Sequence, residues 1–142
     1  MSRFCLTSDL HGHLPNIPPC DYLIIAGDLC PDFAPGSSWG SGIQEGWLHS
    51  KFINWLEAQP VSKQAYATFG NHDFVRKNQV SDLGVIYIDE LVDIGGKNVW
   101  FSPWSNLFGG WAWMDEPEAL AERYAKIPTD TDIIVSHGPL YG

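Results

Sequence analysis

Five residues in this chain, Asp9, His11, Asp28, Asn71 and His137, are oxygen or imidazole donors that each follow an apparent strand end. No thiolate is among them. Carboxylate, amide and imidazole together suit divalent ions of borderline hardness such as Mn, Fe, Zn or Ni, whereas a closed structural zinc site would be rich in thiolates. Two ions are expected rather than one, because an aspartate such as Asp28 can bridge a pair about 3.5–4 Å apart, the arrangement used for phosphoryl displacement. Asp9 and His11 stand two apart and point the same way if the strand's last pleat persists. His72 and Asp73 complete the run Gly70-Asn71-His72-Asp73. Taken singly, each stretch also reads as a turn, with Gly at positive φ and Asn or Asp bonding its own backbone.

The donors need elements to deliver them. Arg3–Ser8 is a short, mostly apolar run that stops at Asp9-Leu10-His11-Gly12-His13, so it reads as a buried strand feeding a loop. His13 is expected to be solvated. Asp21–Ala26 repeats the pattern before Gly27-Asp28, and Gln64–Phe69 leads into Gly70. Strands that end in carboxylates and amides on one edge are how an open α/β sheet gathers ligands. Pro31 to Gly46 reads as a surface loop, and Trp47, Leu48, Phe52, Trp55 and Leu56 then recur at helical spacing until Pro60.

A second β-layer is expected from Val85–Ile88, Leu91–Ile94 and Lys97–Ser102, the last two joined across Gly95-Gly96. The aromatic stretch from Pro103-Trp104 to Trp113 reads either as a packed cover or as a wall beside the cleft, with packing favoured. Asp115 is expected to cap a helix that has Pro117 in its first turn and stops by Pro128. Asp132–Ser136 then reads as a further strand, delivering His137.

The length of 142 residues implies one domain and one core. With 44% hydrophobic and 18% charged residues the chain is globular, and no apolar run approaches the roughly 18 residues of a membrane span. Seventeen acidic against eight basic residues give a net charge of −9, which excludes a basic stripe for long nucleic acids. An acidic protein that handles phosphate esters needs cations to reverse its local field. Cys5, Cys20 and Cys30 are unpatterned and, with no export signal at the start, fit reduced thiols in a cytoplasm.

Asp9-x-His11, Gly27-Asp28, Gly70-Asn71-His72-Asp73 and Ser136-His137-Gly138, in that order, resemble the signature of the calcineurin-like metallophosphoesterases. Phe101-Ser102-Pro103-Trp104 and the Gly-Trp stretch beyond it are similar to a small metallophosphoesterase-domain subgroup. The resemblance implies an α/β fold, a β-sandwich of two mixed sheets flanked by helices. It further implies Asp9 and His11 on one metal, Asp28 bridging, and Asn71 and His137 on the second. His72 would lie beside the phosphate as acid or charge stabiliser, with Asp73 orienting it. A metal-bridging hydroxide would attack phosphorus in line, the substrate being a small phosphate ester and a phosphodiester by preference.

The sequence departs from the family in one respect. Members continue to a Gly-His-x-His motif that this chain lacks, so 1–142 is expected to be a single metallophosphoesterase domain without its C-terminal part. The competing readings are a non-catalytic metal-binding fragment that retains the fold and a Trp-lined carbohydrate-binding module. An edge left unpaired would invite a homodimer, with His13 or His49 as the ligands a partner could lend.

Overall fold

The structure is a computed structural model and describes residues 1–32 and 40–139. Three parallel strands, β1 (Phe4–Thr7), β2 (Cys20–Ala26) and β3 (Val61–Thr68), form a sheet in the order β1-β2-β3. In register, Leu6 lies beside Ile24 and Ile24 beside Tyr66. The central strand is buried on both faces, which is why Tyr22–Ala26 is a continuous apolar run rather than an alternating one. Its alternation appears instead in what each residue meets. Leu23 and Ile25, with Ala65 and Ala67 beside them, pack with Leu48 and Phe52 of a helical layer. Tyr22, Ile24 and Tyr66 face the other way, toward Val99, Phe101 and Val135 of a second sheet.

The helical layer runs without a break through α1 (Gly40–Trp47), a π-helical turn over Leu48–Phe52 and α2 (Ile53–Glu57). It therefore starts earlier than the aromatic spacing implies. The expected loop from Pro31 to Gly46 is helical from Gly40, and its residues 33–39 lie outside the described residues. Leu48 and Phe52 are fully buried, and the helix stops before Pro60 as expected.

The second sheet has the order β4 (Glu90–Asp93), β5 (Asn98–Ser102), then, after the short elements below, β8 (Ile133–Ser136). Strands β4 and β5 are antiparallel across the Gly95-Gly96 turn, whereas β5 and β8 are parallel. Thus one sheet is wholly parallel and only the other is mixed. Between them lie the two-residue strands β6 (Ser105–Asn106) and β7 (Met114–Asp115) and the helix α3 (Pro117–Tyr124).

Two sequence expectations are corrected here. Val85–Ile88 is not an extended strand but a single bridge, Ile86 to Ala67, and its apolar character follows from the burial of Ile86 and Ile88 in the core rather than from a ladder. Asp115 does not cap α3. The cap position is Glu116, without a side-chain bond, and the Asp115 carboxylate instead accepts from the Arg123 guanidinium at 2.9 and 3.0 Å.

Candidate metal centre

Parallel strands put their C-terminal ends on one edge, so the loops after Thr7, Ala26 and Thr68 open side by side. Backbone bonds hold the first two together: Asp9 N–H donates to Gly27 O at 3.0 Å and His11 N–H to Asp28 O at 2.9 Å. His137 arrives from the second sheet, its N–H bonded to Ser102 O at 3.1 Å. Asp9, His11 and Asp28 all have left-handed backbone, with φ of 55°, 46° and 53°. The last pleat therefore does not persist beyond Thr7, and Asp9 and His11 are aimed by turns rather than by strand alternation. Such conformations cost about 1–3 kcal/mol each and are held where a site needs them.

Asp28 is the centre of the arrangement. It is 3% exposed, and its two carboxylate oxygens face different imidazoles: Oδ1 lies 3.4 Å from His137 Nε2 and Oδ2 lies 3.4 Å from His11 Nε2. Oδ1 also accepts the His72 backbone N–H at 2.9 Å. His137 Nδ1 sits 2.9 Å from the Ala26 carbonyl, so this nitrogen carries the proton and Nε2 presents its lone pair to the site. Yet Nε2 is only 2.9 Å from Asn71 Oδ1, another acceptor. A cation bound between them would satisfy both acceptors.

Ligand atoms within 4.8 Å of one another fall into two groups, Asp9 with Asp28 and His137, and His11 with Asp28 and His72. Asp28 belongs to both. Each group offers donors suited to a divalent ion. The grouping differs from the expected one in placing Asp9 with His137 rather than with His11.

Packing enforces these positions through two glycines. Gly27 has φ of 95° and any Cβ there would collide with the His137 ring, while one on Gly70 would collide with Asp28 and come within 2.8 Å of His137.

Asp73 does not orient His72. Its carboxylate is fully buried and accepts three backbone N–H groups, from Cys30 and Gly70 at 2.8 Å and Leu29 at 3.1 Å. Burial raises its pKa above the ordinary carboxylate value, and those three donors offset that only in part. It shapes both loops at once. The carboxylate beside His72 belongs to Asp32, whose Oδ1 lies 2.7 Å from His72 Nδ1 and 2.7 Å from His11 Nδ1. Burial alone would raise the Asp32 pKa, but the two imidazoles outweigh it and hold the group below the usual range. Burial likewise acts to lower His11, and Asp32, Asp28 and Asp9 more than offset it, so His11 is raised above 6.5.

Sequence reasoning missed Asp32 and also Gln44. The buried amide of Gln44 donates to Pro31 O at 3.0 Å and to His72 O at 2.8 Å, and its oxygen accepts from Phe74 N–H at 2.7 Å. Position four residues after Asp28 was the only sequence cue for Asp32, and Gln44 had none. The two remaining histidines lie elsewhere: His13 is exposed, and His49 is bonded to Glu45 O and Asp82. The aromatic stretch divides its roles. Trp113 packs on Phe69, whereas Trp111 stacks on His72.

A family model described as calcineurin-like phosphoesterase matches residues 2–142. Among curated proteins, a probable rhamnogalacturonate lyase C of Emericella nidulans is 32% identical over 154 residues, covering 96% of this chain and 14% of that protein. Metallophosphoesterase domain-containing protein 1 of Homo sapiens and that of Mus musculus are each 28% identical over 173 residues, covering 99% of this chain and 49% of theirs. The chain spans about half the length, or less, of these relatives.

Proposed function

The chain belongs to the calcineurin-like phosphoesterase family, and on that premise we propose that it hydrolyses phosphate esters at a centre for two divalent ions. The observation that carries the reading is Asp28, whose two oxygens address His11 and His137 separately. In this reading Asp9, Asp28, Asn71 and His137 would hold one ion and Asp28 and His11 the other, with His72, which stands in the same group as His11, kept for the leaving oxygen. Bound divalent ions supply Lewis acidity at the ester oxygens and an acidified water as nucleophile.

The chain's own residues do the rest. Asp32 fixes His72 by its Nδ1, which leaves Nε2 without a hydrogen-bond partner among the described residues and free to give a proton to the leaving oxygen. His72 is therefore the general acid of this reading, Asp32 its orienting group, and Asp73 the post on which the Asp28 and Asn71 loops are built. A phosphodiester is the substrate this reading favours, on the resemblance of the Phe101-Ser102-Pro103-Trp104 stretch to the small metallophosphoesterase-domain subgroup and not on site geometry. A cytoplasmic setting is supported by the three free cysteines. No helix among the described residues is long and apolar enough to cross a membrane.

Metal analysis of the purified chain, followed by assays on a chromogenic phosphodiester and the matching monoester with added Mn²⁺, tests the proposal. Two ions per chain with faster diester hydrolysis are expected. Metal binding without turnover on either ester would instead identify a non-catalytic metal-binding module.

A further inference from the structure

Trp111, Ala112 and Trp113 touch three consecutive residues of the metal loop. The Trp111 indole stacks on the His72 imidazole, with ring centroids 4.0 Å apart and planes 26° from parallel. The Ala112 N–H donates to Asn71 O at 2.9 Å, and the Trp113 indole N–H donates to Asp73 O at 2.8 Å. Trp113 adopts φ of 47°, a conformation that bulky residues avoid. Strain of this kind persists only where surrounding contacts impose it. Here it turns one tryptophan onto Phe69 and the Asp73 carbonyl while its neighbour-but-one faces His72.

We propose that Trp111 is a positioning residue for His72. The assignment rests on the phosphoesterase reading for its catalytic consequence, but not for its geometry. An imidazole pinned only at Nδ1 can still swing about that bond. His72 is confined on one face by Trp111 and met edge-on by His11 at a centroid distance of 4.7 Å, with planes 85° apart. Those contacts, together with Asp32, fix the direction in which Nε2 points. Stacking at this distance is favourable in itself and places a π face where its ring current shields the imidazole.

The test uses the whole chain with isotopically labelled histidine, as wild type, Trp111→Ala and Trp111→Phe. In the metal-free protein, the His72 ring protons are expected to move downfield in Trp111→Ala and to stay near their original position in Trp111→Phe. His49, held away from the site by Glu45 and Asp82, reports in the same spectrum whether each variant is folded. With Mn²⁺ and a chromogenic phosphodiester, kcat is expected to fall about 10–100-fold in Trp111→Ala, with a smaller change in KM and with recovery in Trp111→Phe. An unmoved His72 resonance in a folded Trp111→Ala protein overturns the proposal, as does a kcat equal to wild type. An inactive wild-type protein overturns the phosphoesterase reading alone, and the resonance then decides whether Trp111 stacks on His72.

Discussion

Nδ1 of His72 lies 2.7 Å from Oδ1 of Asp32, a residue forty positions earlier in the chain, while the carboxylate next to His72 in sequence faces the other way. The two aspartates therefore separate in function. Asp32→Asn is expected to keep the fold and lower kcat by about 10–100-fold, the usual effect of removing a group that orients a catalytic or metal-bound imidazole. Asp73→Asn is expected to lose at least about 1.5–3 kcal/mol of stability, because an amide cannot accept all three backbone N–H groups. Urea unfolding and steady-state kinetics on both variants check this; a stable Asp73→Asn protein with low kcat would reverse the assignment.

Asp28→Ala should remove metal more completely than Asn71→Ala. The carboxylate carries charge and faces both imidazoles, whereas the amide is neutral and faces one. Calorimetric titration with Mn²⁺ measures the difference. Equal losses in the two variants would count against a shared Asp28.

Away from the site, His49 is raised above its ordinary 6.5, first by the Glu45 carbonyl and then by Asp82, and Asp82 is lowered from 3.8 chiefly by His49. A raised histidine contributes stability that is full below its unfolded pKa and lost as pH rises through the folded one. A lowered aspartate contributes above its unfolded pKa and loses that contribution as pH falls through the folded one. The pair therefore helps most between about pH 4 and 6.5. Both groups are near the surface, so the effect is small and sensitive to salt. In Asp82→Asn the His49 titration should move down, and the Tm deficit should vanish at alkaline pH. An unmoved titration would leave the Glu45 carbonyl as the sole cause.

How much of this was legible beforehand follows from what each feature depends on. The β1, β2 and β3 runs, the Gly95-Gly96 hairpin and the strand-end donors are local, since apolar runs and turn residues carry their own signal. The two outward faces of β2 also follow from its unbroken run. Asp32, Gln44 and the true partners of Asp73 were not legible, because each depends on at least one partner 28 to 44 residues away in the chain. Asp73 was misread for the same reason: adjacency to His72 in sequence says nothing about where a side chain turns after a glycine. Asp115 looked like a helix cap until Arg123, one helix length on, was seen to hold it.

β1 and β8 stand at the edges of their sheets and leave Phe4, Leu6, Ile133 and Ile134 exposed along a shared apolar groove. Ile133 pairs in register with Val99, so it belongs to the inner face of the sandwich that nothing among the described residues covers. We propose that this edge supports self-association, as unpaired strand edges do. Light scattering across a concentration series should show a dimer that Leu6→Lys weakens. A monomer at every concentration would dismiss the idea.

His137 reaches back across 111 residues to the Ala26 carbonyl and across 66 to Asn71. During synthesis, Asp9, His11 and Asp28 emerge long before the strand that brings His137 to them. Loop closure of that span costs entropy before any contact repays it, and contacts so distant in sequence form late. The order of events this implies is that the chain folds first and captures ions afterwards. Mn²⁺ is then expected to slow unfolding and leave the refolding rate unchanged, since it stabilises contacts absent from the transition state. A refolding rate that climbs with Mn²⁺ would instead place the ions in the folding nucleus.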